Sequence, residues 1–87
     1  MIAITTTFRG PTDTRGSRII ATAHDGATTR RVTVAWDHSL SATANHHAAA
    51  VAWVVAHRPA WSIVGEGLGA PGTVVHLAGL VEAAGVA

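Results

Sequence analysis

Only one part of this chain can form a long helix. Ala42 to His57 is rich in alanine and holds no glycine or proline, whereas the regular stretches on either side are β-branched and alternate in character. Strands that follow one another without helices between them cannot wind a parallel sheet, because every parallel crossover needs a long covering connection. The expected fold class is α+β: a mainly antiparallel sheet of about five strands in the order β-β-β-α-β-β, with one helix packed on one face in two layers.

Ile2, Ile4, Thr6 and Phe8 alternate with Ala3, Thr5 and Thr7, so the first strand spans about residues 2–8. Arg9 to Ser17 is a loop, rich in residues that favour turns. Arg18 to His24 resumes the strand pattern, and Asp25-Gly26 supplies the tight turn into Thr28–Trp36. In that third strand Val32, Val34 and Trp36 share one face, and Arg31 and Thr33 the wetter one. Ser39 and Ser41 offer caps for a helix over 42–57, which Pro59 ends. Ala48, Ala52 and Ala56, flanked by Ala49 and Trp53, make its expected packing stripe. Trp61–Val64 and Thr73–Leu77 read as a second hairpin, with the glycine-rich Gly65–Gly72 as its flexible tip.

The 87 residues hold one small domain, expected over 1–77, with 78–87 a C-terminal extension that forms a weak helix or frays. A chain this short buries only roughly 60% of its unfolded surface, so a homodimer is one expected way to gain stability. The absence of cysteine excludes disulfides, thiolate metal sites and a cysteine nucleophile. Apolar residues make up 48% of the chain and charged ones 13%, which excludes a disordered chain. Met-Ile-Ala-Ile-Thr-Thr lacks the basic start of a secretory leader, and no apolar run reaches the roughly 18 residues of a membrane span. A cytoplasmic protein without a membrane partner is the expectation.

The formal charge of +1 conceals a division. Residues 1–31 carry five arginines against Asp13 and Asp25, a balance of +3, whereas residues 32–87 carry Arg58 against Asp37, Glu66 and Glu82, a balance of −2. Arginine forks together with loop hydroxyls and amides can hold anionic oxygens through charge-assisted hydrogen bonds. Arg9, Thr12, Asp13, Arg15, Ser17 and Arg18, with Arg30 and Arg31 nearby, are therefore the candidate partner-binding residues. The same charges would also serve as solvated guards of a sheet edge.

Nothing announces catalysis. The five carboxylates are scattered, Ser39 and Ser41 lack a nucleophile elbow, and Gly65–Gly72 lacks the Lys-Ser/Thr ending of a phosphate loop. His46 and His47 point about 100° apart on a helix, neither has a second histidine at i+3 or i+4, and HExxH is absent. His24, His38 and His76 would have to converge through the fold. No catalytic, cofactor or metal residue is therefore assigned. Trp36 and Trp53 are expected as core anchors, and Trp61 as either core closure or contact anchor.

Ile4-Thr5-Thr6-Thr7-Phe8-Arg9-Gly10-Pro11-Thr12-Asp13-Thr14-Arg15-Gly16-Ser17-Arg18-Ile19 resembles the opening of a family of small phage, prophage and plasmid proteins that begin I-T-T-K-Y-x-G-P-T-N-T-[KR]-G-S-R-I. Asp37-His38, Asn45-His46-His47-Ala48-Ala49-Ala50 and Trp61 continue the resemblance, which covers roughly residues 2–77. Thr7 and Phe8 replace the family's lysine and tyrosine. The resemblance implies a mobile-element accessory protein. By analogy the expected function is a non-enzymatic inhibitor, of the anti-CRISPR kind, that binds a host defence protein or nucleoprotein complex. The alternative is a small module that contacts nucleic-acid phosphates through arginine.

Overall fold

A computed structural model describes residues 2–13, 16–69 and 72–80. Five strands and one helix follow in the expected order: β1 (Ile2–Arg9), β2 (Arg18–Asp25), β3 (Thr28–Ala35), α1 (Ala42–His57), β4 (Trp61–Leu68) and β5 (Thr73–Leu80). The sheet is antiparallel throughout and ordered β3-β2-β1-β5-β4, so the first strand lies at its centre. The helix carries the chain from β3, at one edge, to β4, at the other, and packs across a single face. Among the described residues no helix is long and apolar enough to cross a membrane.

The local chemistry accounts for these bounds. Gly26, with φ of 67°, takes the first central position between Asp25 and Thr28, the left-handed conformation that a type II′ hairpin turn demands. Ser41 caps α1 by accepting the Ala44 N–H at 3.1 Å. Asn45, itself buried, closes the same end: its Oδ1 accepts the Asp37 N–H at 2.8 Å, and its Nδ2 donates to the carbonyls of Asp37, Leu40 and Ser41. At the other end Arg58 N–H returns to the Val54 carbonyl before Pro59.

Helix and sheet meet through Ile4, Ile19, Ala21, Ala23 and Ala78 on the strands and Ala49, Ala50, Trp53 and Val54 on α1. Trp53 is fully buried, and its indole N–H donates to the Arg30 carbonyl at 3.1 Å. The packed stripe of the helix is thus Asn45, His46, Ala49, Ala50, Trp53 and Val54 rather than the expected line of Ala48, Ala52 and Ala56. Large side chains set the rotation of the helix because they bury more area than alanines, and Ala56 is left exposed.

Two further differences concern the C-terminal hairpin. Gly65–Leu68 is not a loose tip but the second half of β4, paired with Val74–Leu77. Strand β5 also runs past Leu77 to Leu80, with Ala78 fully buried, so this part of the expected extension belongs to the sheet. The remaining residues, 81–87, lie outside the described ones. Within β4 the ladder slips between Ile63 and Gly65, leaving Val64 as a bulge. In a regular strand Ile63 and Glu66 would face opposite sides; the extra residue puts both on the helix side.

Candidate functional site

Two surfaces carry the polar chemistry. The first is the face of the sheet that the helix does not cover. Alternation places Thr5, Thr7 and Arg9 of β1, Arg18, Ile20 and Thr22 of β2, and Thr29, Arg31 and Thr33 of β3 there, opposite the buried Ile4, Thr6, Ile19, Ala21 and Ala23. Arg9 and Arg18 are direct cross-strand partners, and Arg31 pairs with Thr22 further along. Like charges placed directly opposite each other cost stability, so they are held together by something other than their mutual interaction. None of the strand positions on this face bears a carboxylate, and its one aromatic ring is the imidazole of His24, bonded to Thr29 at 2.9 Å.

The eight residues expected to bind a partner are divided by this architecture. Arg9, Arg18 and Arg31 share the uncovered face. Arg18 is half-buried, with its Nε enclosed and unbonded and its Nη1 directed at the Gly16 carbonyl. Thr12 and Asp13 are exposed in the adjoining loop, and Arg15 lies outside the described residues. Ser17 is half-buried, its carbonyl accepting the Trp36 N–H at 3.1 Å. Arg30, next to Arg31, faces the helix side, where its Nε lies 3.4 Å from the Asp25 carboxylate. Arg58 bonds the other oxygen of that carboxylate, tying the end of α1 to the β2–β3 hairpin.

The second surface was not expected. Thr6, fully buried at the centre of β1, is bonded through Oγ1 to His46 Nδ1 at 2.7 Å and His76 Nε2 at 2.9 Å. The same hydroxyl donates to the Val74 carbonyl at 3.2 Å. On its other nitrogen, Nδ1, His76 meets Glu66 Oε1 at 3.0 Å, and His47 Nδ1 bonds the same oxygen from the helix. A polar chain therefore runs from the buried core to solvent: His46, Thr6, His76, Glu66, His47. It joins α1, β1, β4 and β5. The donor atoms of His47, Glu66 and His76 lie within 4.8 Å of one another, close enough to hold a metal ion.

Each environment sets the charge of its member. Burial holds His46 and His76 below the usual histidine range, with the neighbouring His76 ring adding to the effect on His46 and Glu66 opposing it on His76. The bond from His47 keeps the Glu66 carboxyl below its usual value. At the start of α1, bonds from Ser39 do the same for Asp37. Beside this chain, His46 also borders a hollow of about 410 Å³ lined by Phe8, Trp36 and His38. Phe8 and Trp36 meet there edge to face, 4.9 Å between centroids. Trp61 is half-buried at the opposite rim with the Arg58 guanidinium 5.3 Å over its ring, which fits a rim closure more than a free anchor.

Comparison with family models, with curated proteins and with solved structures gave no match.

Proposed function

We propose that this protein is a non-enzymatic inhibitor of the anti-CRISPR kind, encoded by a mobile element, and that it binds a host defence complex through the uncovered face of its sheet. The observation that carries this reading is the composition of that face: Arg9, Arg18 and Arg31 stand among threonines with no carboxylate at any strand position. A surface of one sign steers an oppositely charged partner and rejects like-charged ones. Thr12 and Asp13, exposed in the adjoining loop, extend the contact.

Nucleic acid is the second reading, favoured by the same arginines, which would bind phosphates. Phe8, Trp36, Trp53 and Trp61 all lie on the helix side, so the uncovered face offers only the single imidazole of His24, itself bonded to Thr29, for stacking on unpaired bases. That weighs toward an acidic protein surface.

Phage plaquing on cells with an active nucleoprotein defence tests the reading. Expression of the wild-type chain should restore plaques, and the triple variant R9E/R18E/R31E should not. Val55→Glu, on an exposed helix position, should behave as wild type. Equal restoration by the triple variant would refute the assigned face. Retarded migration of duplex DNA that disappears steeply with salt would favour the nucleic-acid reading instead.

A further inference from the structure

The hydroxyl of Thr6 makes three polar contacts but owns one proton and two acceptor positions. The Val74 carbonyl has no proton to give, so the hydroxyl proton goes there. Both imidazoles must then donate: His46 from Nδ1 and His76 from Nε2. A neutral His76 that donates from Nε2 has a bare lone pair on Nδ1, and that lone pair faces a carboxylate oxygen 3.0 Å away. Two lone pairs in contact repel unless a cation lies between them. A second proton on His76 would supply one, yet the side chain is 0% exposed, and a charged ring is costly there. A metal ion shared with the solvent-facing His47 meets the need without charging the ring.

We propose that His47 Nδ1, His76 Nδ1 and the Glu66 carboxylate bind a zinc ion, with Thr6 and His46 as the outer shell that orients His76. Two imidazoles and one carboxylate suit zinc and similar transition metals, whereas calcium and magnesium favour oxygen donors throughout. Tetrahedral zinc with bonds of about 2.0–2.2 Å spaces its donors roughly 3.3 Å apart. The donors here lie within 4.8 Å of one another, and the two that must adjust are mobile: the His47 side chain is 50% exposed and that of Glu66 31%. His76 is fixed. A metal-bound histidine commonly passes its other N–H to an oriented acceptor, the role that Thr6 Oγ1 fills. Three protein donors leave one coordination position for water, beside the groove between α1 and β4 that His47 and Trp61 line.

Zinc chloride titrated by calorimetry into the full chain, stripped with EDTA and dialysed, tests the site. One ion per chain should bind, and cobalt(II) should give the visible bands of a tetrahedral site. His47→Ala and Glu66→Gln, both at exposed side chains, should fold normally and each weaken binding by at least tenfold. Thr6→Val should weaken it by about 10–100-fold, and Thr6→Ser should restore it. Histidine-ring ¹⁵N spectra of the zinc form should put the His76 proton on Nε2. Lack of saturable binding, or an affinity unchanged in both His47→Ala and Glu66→Gln, would overturn the site.

Discussion

Thr6→Val is the most revealing single change to the metal-free protein. Valine keeps the branching of threonine but puts a methyl where the hydroxyl stood, so it removes the hydrogen bonds and must also draw back from two ring nitrogens 2.7 and 2.9 Å away. His46 Nδ1 and His76 Nε2 both lose their partner inside the core, and the Val74 carbonyl loses a donor. A buried polar atom left unpaired costs about 1–3 kcal/mol. Two imidazole nitrogens therefore put the loss at about 2–4 kcal/mol, the upper part of the doubled range being relieved because, freed from the hydroxyl, the His76 proton can move to Nδ1 and be donated to Glu66. Against a total stability of about 5–15 kcal/mol this is a large share. At about 4–8 °C per kcal/mol for a domain of this size, the thermal midpoint falls by about 8–32 °C. Urea unfolding of EDTA-treated wild type and variant, followed by tryptophan fluorescence, measures it. Thr5→Val, whose side chain lies on the uncovered face one residue away, should change stability by no more than about 0.5 kcal/mol. A Thr6→Val protein as stable as wild type would refute the claim that this hydroxyl pins the two histidines.

Two other predictions follow from the same structure. Asn45→Ala removes four hydrogen bonds that hold residues 37–41 to the start of α1, and should cost about 2–3 kcal/mol while speeding amide exchange in the first helical turn. In the metal-free protein His46 and His76 titrate below the unfolded value of about 6.5, so the unfolded chain binds more protons in that window and stability should fall as pH drops below about 6.5. Urea midpoints measured at pH 8 and pH 5.5 check the sign; a midpoint that rises on acidification would contradict it.

Much of the fold is legible in local chemistry. The bounds of α1 follow from Ser41 and Pro59, those of β1 and β2 from β-branched alternation, and the β2–β3 turn from Asp25-Gly26. Glycine content misleads at Gly65–Leu68, because pairing with the β-branched Val74 and Val75 supplies the order that the glycines lack. The helix face misleads for a different reason: a line of alanines looks like a seam, but Trp53 and Val54 dictate the rotation.

The site divides in the same way. That Arg30 and Arg31 face opposite sides follows from their adjacency in a strand, a signal present in the sequence. The chain from His46 to His47 through Thr6, His76 and Glu66 has no such local signal. Thr6 and His76 are 70 positions apart and meet only because β5 returns to pair with β1. Glu66 reaches His76 only because the bulge at Val64 reverses the alternation of β4, and bulges leave little trace in a sequence.

The central functional claim is that the arginines of the uncovered face make the contact with an anionic protein surface. Its most direct test is the affinity of the immobilised chain for the purified defence complex, measured by surface plasmon resonance for wild type and R9E/R18E/R31E at 50 and about 200 mM salt. Wild-type affinity should weaken with salt, and charge reversal should weaken it by at least tenfold at low salt. Equal affinity of the two proteins at both salt concentrations would contradict the account.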